Sequence, residues 1–337
     1  MRLSVLDLSP IASGASAHDA LENTLDLARH VESLGYVRYW LAEHHNAGSL
    51  ASSAPEIVIG QVARVTSRMR VGAGGVMLPN HTPLKVAELF RVLAAFFPGR
   101  IDLGVGRAPG TDPRTARALR RGAPEIDFEA ALDELAAYLE HDGAPRGPFA
   151  GTTIAIPVGV EAPPIWVLGS SDGGVAFAAK RGLPYAYAHH INPRDAVAMM
   201  RRYRESFVPS AKNASPYALL AVAVTTAATE AECAPLERAL DLGAVRFAQG
   251  LRDLPFPTED EARAYAFDAD EEALRLAMRE RFFVGPIDRV ARELRELAGA
   301  ARADELMILC NAGDHEKRKD VYALLARELG AERGGMP

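Results

Sequence analysis

The chain has 337 residues, 48 % of them hydrophobic, and a formal charge of −6. That length supports a large buried core, and the acidic balance gives no reason to expect nucleic acid or an anionic membrane as partner. Cys233 and Cys310 lie far apart with no CxxC or zinc spacing, and read as two buried thiols in a reducing cytoplasm. No apolar stretch is long enough to span a bilayer. The chain opens at once on a strand-like run instead of a signal peptide, so a soluble, cytoplasmic protein is expected.

Strand-like and helix-like segments alternate from the start. Residues 2–8 read as a first strand. Residues 17–34 read as an amphipathic helix stopped by Gly35. A second strand at 37–42 leads to a helix at 55–67 with Pro55 in its first turn. A third strand at 69–77 precedes a helix at 83–97 that starts with Pro83 and is broken by Pro98-Gly99. The fourth strand is 100–105, and the next clear helix 128–141. Residues 143–160, rich in Gly and Pro with strand-like pieces such as 152–156, read as an insertion. A fifth strand at 164–168, a helix at 173–181 stopped by Gly182, a sixth strand at 184–188, a helix at 193–207 and a seventh strand at 217–225 follow. Residues 230–283 read as mostly helical around a loop at 253–259, a second insertion. A helix at 286–298, an eighth strand at 305–309 and a helix at 314–329 complete the pattern, with 331–337 as a frayed tail.

Strands that alternate with helices pair in parallel, and eight such units favour closure into an α/β (β/α)8 TIM barrel. The expected organisation is one barrel domain over residues 1–330 with insertions near 143–160 and 230–283.

In such a barrel the chemistry gathers where strands end. The second strand ends in Glu43-His44-His45, two imidazoles and a carboxylate. Histidine moves protons near neutrality, so His44 is the candidate base. If strand alternation continues, His44 and His45 face opposite sides, one to the mouth and one outward, where a partner subunit could meet it. Gly74-Gly75 interrupts the third strand, which marks either close packing or the approach of a flat ligand. The fifth strand runs into Gly169-Ser170-Ser171-Asp172-Gly173-Gly174, a small polar loop opening a helix. Its backbone N–H groups and hydroxyls suit a phosphate, and Arg107, after the glycine-flanked end of the fourth strand, can neutralise one. Together they point to a phosphorylated cofactor lying over the mouth.

Two competing readings are weaker. Gly104-x-Gly106 has its third glycine, Gly110, one position late, and Pro109 and Pro113 interrupt the helix that should follow, unlike a dinucleotide fingerprint. His44, His81, His189 and His190 could converge on a metal. Metal-dependent barrel hydrolases would show His-x-His on the first strand, where this chain has Asp7-Leu8-Ser9-Pro10, and no metal is expected.

The ordered motifs Tyr39-Trp40-Leu41-Ala42-Glu43-His44-His45, Val71 to His81, Pro98 to Arg107, Trp166 to Ser171 and Ala178 to Pro184 resemble the bacterial luciferase-like monooxygenase superfamily, in particular its small single-chain bacterial members. The resemblance implies a (β/α)8 barrel that uses FMN, reduced by a separate flavin reductase, and O2 to oxidise a small organic substrate through a C4a-peroxyflavin. It implies His44 as catalytic base. It places Arg107 with Gly169, Ser170, Ser171, Gly173 and Gly174 at the FMN phosphate, and Gly74 and Gly75, joined by a candidate cis peptide, beneath the flavin ring. It also implies a homodimer built on the faces around the second and third strands. Gly106 stands where luciferase has a reactive cysteine and Ser170 where it has a glutamate, which points away from a light-emitting aldehyde reaction. Some superfamily members bind a deazaflavin and transfer hydride without O2, so that chemistry is the alternative, and a flavin-binding protein without turnover a third. The loop after the seventh strand and the 230–283 insertion would meet the substrate, with Leu254-Pro255-Phe256-Pro257 as a possible lid.

Overall fold

The computed structural model describes residues 1–123, 127–140 and 152–331. The first half of the 143–160 insertion, to residue 151, and the tail from 332 onward lie outside the described residues.

The alternation closes as expected. Strands β1 (Arg2–Asp7), β2 (Arg38–Leu41), β3 (Arg70–Met77), β4 (Ile101–Gly106), β5 (Ile165–Gly169), β6 (Tyr185–Ala188) and β7 (Ala218–Ala227) follow one another, and β9 (Glu305–Leu309) completes the ring. Every pairing is parallel: β1 lies between β2 and β9, and β6 pairs with β7, so the sheet has no open seam. The result is an eight-stranded parallel barrel ringed by helices. Strand ends carrying motifs therefore share one rim, and β2 and β6, four strands apart, face one another across it.

Local signals set the helices. In α1 (Ala17–Ser33), Ser16 and Asp19 form a reciprocal capping box, and Gly35 takes φ +93° just past its end. Pro55 and Pro83 open α2 (Pro55–Val65) and α3 (Pro83–Phe96), where a missing N–H costs nothing. Gly182, at φ +60°, follows α6 (Asp172–Lys180).

The barrel interior holds Leu6, Trp40, Trp166, Leu219 and Met307, while a larger apolar layer lies between strands and helices. Each fully buried Leu, Val or Ile contributes roughly 1.5–3 kcal/mol. One polar device sits inside. Arg38 of β2 pairs with Asp102 of β4 and Glu305 of β9, Arg70 joins Asp102, and Trp40 Nε1 donates to Asp102 at 3.1 Å. Buried charges survive only when matched in this way. Both cysteines are buried free thiols. Among the described residues no helix is long and apolar enough to cross a membrane.

Three expectations are corrected. Residues 230–283 are not helical to their end. After α8 (Glu230–Ala248), α9 (Glu259–Ala264) and α10 (Ala269–Arg279), the chain forms β8 (Phe282–Pro286), which pairs with the last five residues of β7. Helix α11 (Ile287–Ala301) therefore begins after Pro286, and α12 (His315–Leu329) follows β9. Residues 152–156 form no strand; Ile154 and Ile156 are exposed and Pro157 cannot donate to a ladder. Pro113 does not interrupt a helix but starts one: α4 (Pro113–Leu119) is capped by Asp112, whose carboxylate accepts from the N–H groups of Arg114 and Thr115. Two further helices, α5 (Phe128–Glu140) and α7 (Ala196–Ser206), lie near their expected positions.

Candidate active site

Strand β2 stops at Leu41, so alternation does not carry through Glu43-His44-His45, and the simple in-and-out placement of the two histidines fails. The local order comes instead from Glu43, whose side chain is 1 % exposed. Its Oε1 meets His45 Nε2 at 2.7 Å and His81 Nε2 at 2.8 Å, and its Oε2 accepts from the Met77 N–H at 2.8 Å. His45 thus turns toward the loop after β3. Burial works against the Glu43 charge, but the bonds from His81, His45 and Met77 prevail and hold its pKa below the ordinary value. The His81 pKa rises because the bond and charge of Glu43 outweigh its burial.

His44 is partly buried on the same rim. Burial depresses its pKa, opposed by the Gly110 carbonyl and the Glu43 charge and reinforced by His45 and Arg252. It is therefore neutral over the physiological range and able to accept a proton. His190, after β6, feels His44 electrostatically. Burial, with the charges of His189, His44 and Arg281, brings its pKa to about 4, against the raising effect of the Ala221 carbonyl. The His189 ring lies 5.2 Å from that of Phe283, and its pKa is also about 4 through burial. Two neutral imidazoles, His44 and His190, thus follow the ends of opposed strands β2 and β6.

The phosphate-type loop is assembled on the neighbouring strands. Ser171 caps α6 in extended conformation, yet its hydroxyl makes no capping bond, and the first-turn N–H groups point out of the helix. A Cβ placed on Gly173 would lie 3.6 Å from Arg107 Nη1, so Arg107 reaches the start of α6. Asp172, the one anion there, is paired with Arg202. Asn192 donates to the Ser170 carbonyl at 3.1 Å, and the Tyr187 hydroxyl to that of Asn192 at 2.9 Å, which fixes the loop from behind. The Tyr185 hydroxyl is buried without a partner beneath Gly169 and Gly174. Cation, free helix N–H groups and a spare hydroxyl suit a phosphate monoester.

Gly74 and Gly75 are joined by a cis peptide. Protein packing already requires both glycines: a Cβ on Gly74 would come within 2.8 Å of Leu6 and 3.0 Å of Trp40, and one on Gly75 within 2.8 Å of the Gly104 carbonyl. The run 254–257 is also more fixed than a free lid. The Phe256 N–H donates to the Ile11 carbonyl at 2.8 Å, and the Phe256 carbonyl accepts from Ser13 at 2.8 Å. Beside it, at the ends of β7 and β9, lies a cavity of about 350 Å³ bordered by Thr225, Leu236, Asn311 and Lys317. The four histidines do not converge on a metal position. Among the described residues only Asp26, His315 and Glu316 bring three possible ligand atoms together, on the outer helices, where Lys319 bridges Asp26 and Glu316.

The pattern of the luciferase-like monooxygenase family matches residues 1–304. The chain belongs to this family. A luciferase-like monooxygenase of Escherichia coli K12 is 37 % identical over 328 residues, covering 95 % of each chain. The N-acetyl-S-alkylcysteine monooxygenase of Bacillus subtilis is 33 % identical, covering 97 % of each. The crystal structure of apo-MsnO8 superposes with a TM-score of 0.89 at 37 % identity, over 98 % of this chain and 99 % of that one. More distant structures share only the fold. They include the FMN complex of the oxygenating component of 3,6-diketocamphane monooxygenase from Pseudomonas putida (TM-score 0.70, 18 % identity, 98 % of each chain). An F420-dependent secondary alcohol dehydrogenase is another (TM-score 0.68, 14 % identity, 97 % and 98 %). This luciferase-like protein is accordingly an oxidoreductase of the monooxygenase type. Sequence reasoning missed the sharing of Glu43 by His45 and His81, and the place of His190 opposite His44. The Asn80-His81 pair after β3 was the available signal for the first.

Proposed function

We propose that this protein is a flavin-dependent monooxygenase that takes FMN, reduced by a separate reductase, and oxidises a small organic substrate with O2. The observation that carries the reading is Arg107 beside Gly173 at the start of α6, on the same rim as His44. Arg107, the hydroxyls of Ser170 and Ser171 and the N–H groups of Gly173 and Gly174 would hold the FMN phosphate, with Gly169 turning the chain into the loop. Gly74 and Gly75, held close against the barrel interior, would present their peptide bond beneath the flavin ring above β3.

Bound reduced FMN would supply the electrons that activate O2, with one oxygen atom passing to substrate and the other to water. The protein's part is to keep that chemistry dry and to manage protons. His44, neutral at working pH, would accept a proton at its free ring nitrogen. Glu43 would keep the surrounding loop in place through His45, His81 and Met77. The Bacillus relative named for N-acetyl-S-alkylcysteines makes thioethers a first class to screen.

A homodimer is part of the proposal. Ile57 on α2 and Val92 and Phe96 on α3 are exposed, on the helices flanking β3. Such apolar side chains on neighbouring helices suit an isologous contact. A cytoplasmic location agrees with two free buried thiols.

The test is titration with FMN, FMNH2 and a deazaflavin, followed by oxygen uptake with chemically reduced FMN. Binding of FMN with substrate-dependent oxygen uptake supports the proposal. Preferred binding of the deazaflavin, with anaerobic hydride transfer, would replace it with the deazaflavin reading. Fast reoxidation that no substrate couples would leave a flavin-binding protein without turnover. A monomer by light scattering would remove the dimer.

A further inference from the structure

Two arginines from the segment between β7 and β9 border the histidine pair. Strand β8 begins at Phe282, opposite Ala223 of β7, and the neighbouring Ala221 carbonyl accepts from the His189 N–H at 2.9 Å. The Phe283 ring lies 5.2 Å from that of His189, which brings the start of β8, and with it Arg281, to the end of β6, where the Arg281 charge acts on His190. On the other side the loop at 250–253 lies on the loop that follows His44. The Arg252 carbonyl accepts from the Ser49 N–H, and a Cβ on Gly48 would come 3.0 Å from the Asp253 carbonyl. Arg252 is held over the Phe247 ring at 5.4 Å, and its charge acts on His44.

Neither guanidinium forms an ion pair or donates a hydrogen bond among the described residues. The contrast with their neighbours is plain. Arg275 and Arg279, on α10, both pair with Asp241 of α8, and Arg194 pairs with Glu280. Glu43, the buried carboxylate of the rim, is already committed to His45, His81 and Met77. Arg107 lies by α6, two and three strands away from the ends of β6 and β7. An arginine on the barrel rim with no carboxylate partner among the described residues is suited to a planar oxyanion.

We infer that the substrate is an organic anion, its carboxylate or sulfonate received by Arg281 with Arg252 across the opening, so that its uncharged part lies toward His44 and His190. The inference rests on the flavin reading for the position of the reacting centre, but the binding of an anion can be measured apart from it. The two arginines select charge, whereas Arg107 serves the cofactor.

The experiment is calorimetric titration of the FMN-loaded protein with hexanoate, hexanesulfonate and N-acetylmethionine, each against its uncharged partner: hexanamide, hexanesulfonamide and N-acetylmethionine methyl ester. FMN affinity is measured separately by fluorescence. At least one anion is expected to bind about tenfold or more tightly than its uncharged partner. R281Q is expected to remove that preference and R281K to retain part of it, with FMN affinity unchanged within about twofold. R252Q is expected to weaken the preference less. The inference is overturned if no anion outcompetes its uncharged partner, or if R281Q and R252Q both leave the preference intact. It is overturned equally if R281Q weakens FMN as much as it weakens the anion, since Arg281 would then belong to the cofactor. Failure of FMN to bind at all would strike the flavin reading instead. The same six titrations on the flavin-free protein would then decide the anion site, with the same outcomes supporting or overturning it.

Discussion

His81 Nε2 lies 2.8 Å from Glu43 Oε1, joining the loop after β3 to the loop after β2 through a carboxylate that is almost wholly out of solvent. Replacing Glu43 by Gln removes the charge while keeping the shape. Because hydrogen bonds to a buried charge contribute about 1.5–3 kcal/mol each, E43Q should cost about 2–3 kcal/mol in urea unfolding. An unchanged unfolding midpoint would show that the contact is incidental.

The same pair sets a pH window. The Glu43 pKa is lowered in the folded protein, so its contribution is present above the ordinary value of 4.5 and is lost as pH falls through the folded value. The His81 pKa is raised, so its contribution is full below 6.5 and is lost as pH rises through the folded value. The stability difference between wild type and E43Q should therefore be largest between pH 4.5 and 6.5 and shrink on either side. Denaturant melts at a series of pH values measure this directly, and a difference that is flat with pH would contradict it.

For His44 the sign is opposite. Its pKa is lowered by burial, so the neutral form persists below the ordinary 6.5, and the acid limb of turnover should fall below pH 6.5. H44A should lower turnover by about 100-fold or more, the range expected for a lost general base, and should flatten that limb. Oxygen uptake against pH checks both, and a limb that survives in H44A would assign the titration to another group.

Arg107 should matter to the cofactor more than to the fold, since it is exposed and makes no ion pair among the described residues. R107A should weaken FMN by about tenfold or more, as loss of a charge-assisted bond to phosphate implies, with the melting temperature of the flavin-free protein unchanged. Riboflavin, which lacks the phosphate, should bind wild type and R107A alike. Equal loss for both ligands would place Arg107 elsewhere.

Gly74 tests packing alone. A methyl group there meets the Leu6 side chain at 2.8 Å and Trp40 at 3.0 Å inside the barrel, so the buried side chains around it must shift. G74A should destabilise the protein by about 1–3 kcal/mol, the usual cost of an overfilled core. Thermal melts of G74A beside the helix-surface control G299A, where a Cβ meets nothing within 4 Å, separate clash from the general effect of adding a methyl.

The barrel was legible because each strand is a short apolar run and the helix stops at Gly35 and Gly182 are chemically specific. Arg107 and the loop from Gly169 to Gly174 were legible as parts, since an arginine after a strand end and a glycine-serine turn each have a local rationale. What the sequence hid was register. The Glu43–His81 contact depends on β2 and β3 lying side by side, and Arg38, Asp102 and Glu305 are brought together from β2, β4 and β9. Strand β8 was hidden for another reason. Phe282-Phe283-Val284 is too brief to distinguish from the end of a helix, and it is a strand only because β7 offers an edge there.

That edge has a consequence for how the molecule can diversify. Strand β7 closes the ring with its first half, against β6 and β9, and holds the returning chain with its second, against β8. The 54 residues from 228 to 281 therefore form a cassette clipped at both ends to one strand. A foreign cassette grafted between Ala227 and Phe282 would carry its own chemistry over the opening while the cylinder beneath kept its hoop of hydrogen bonds.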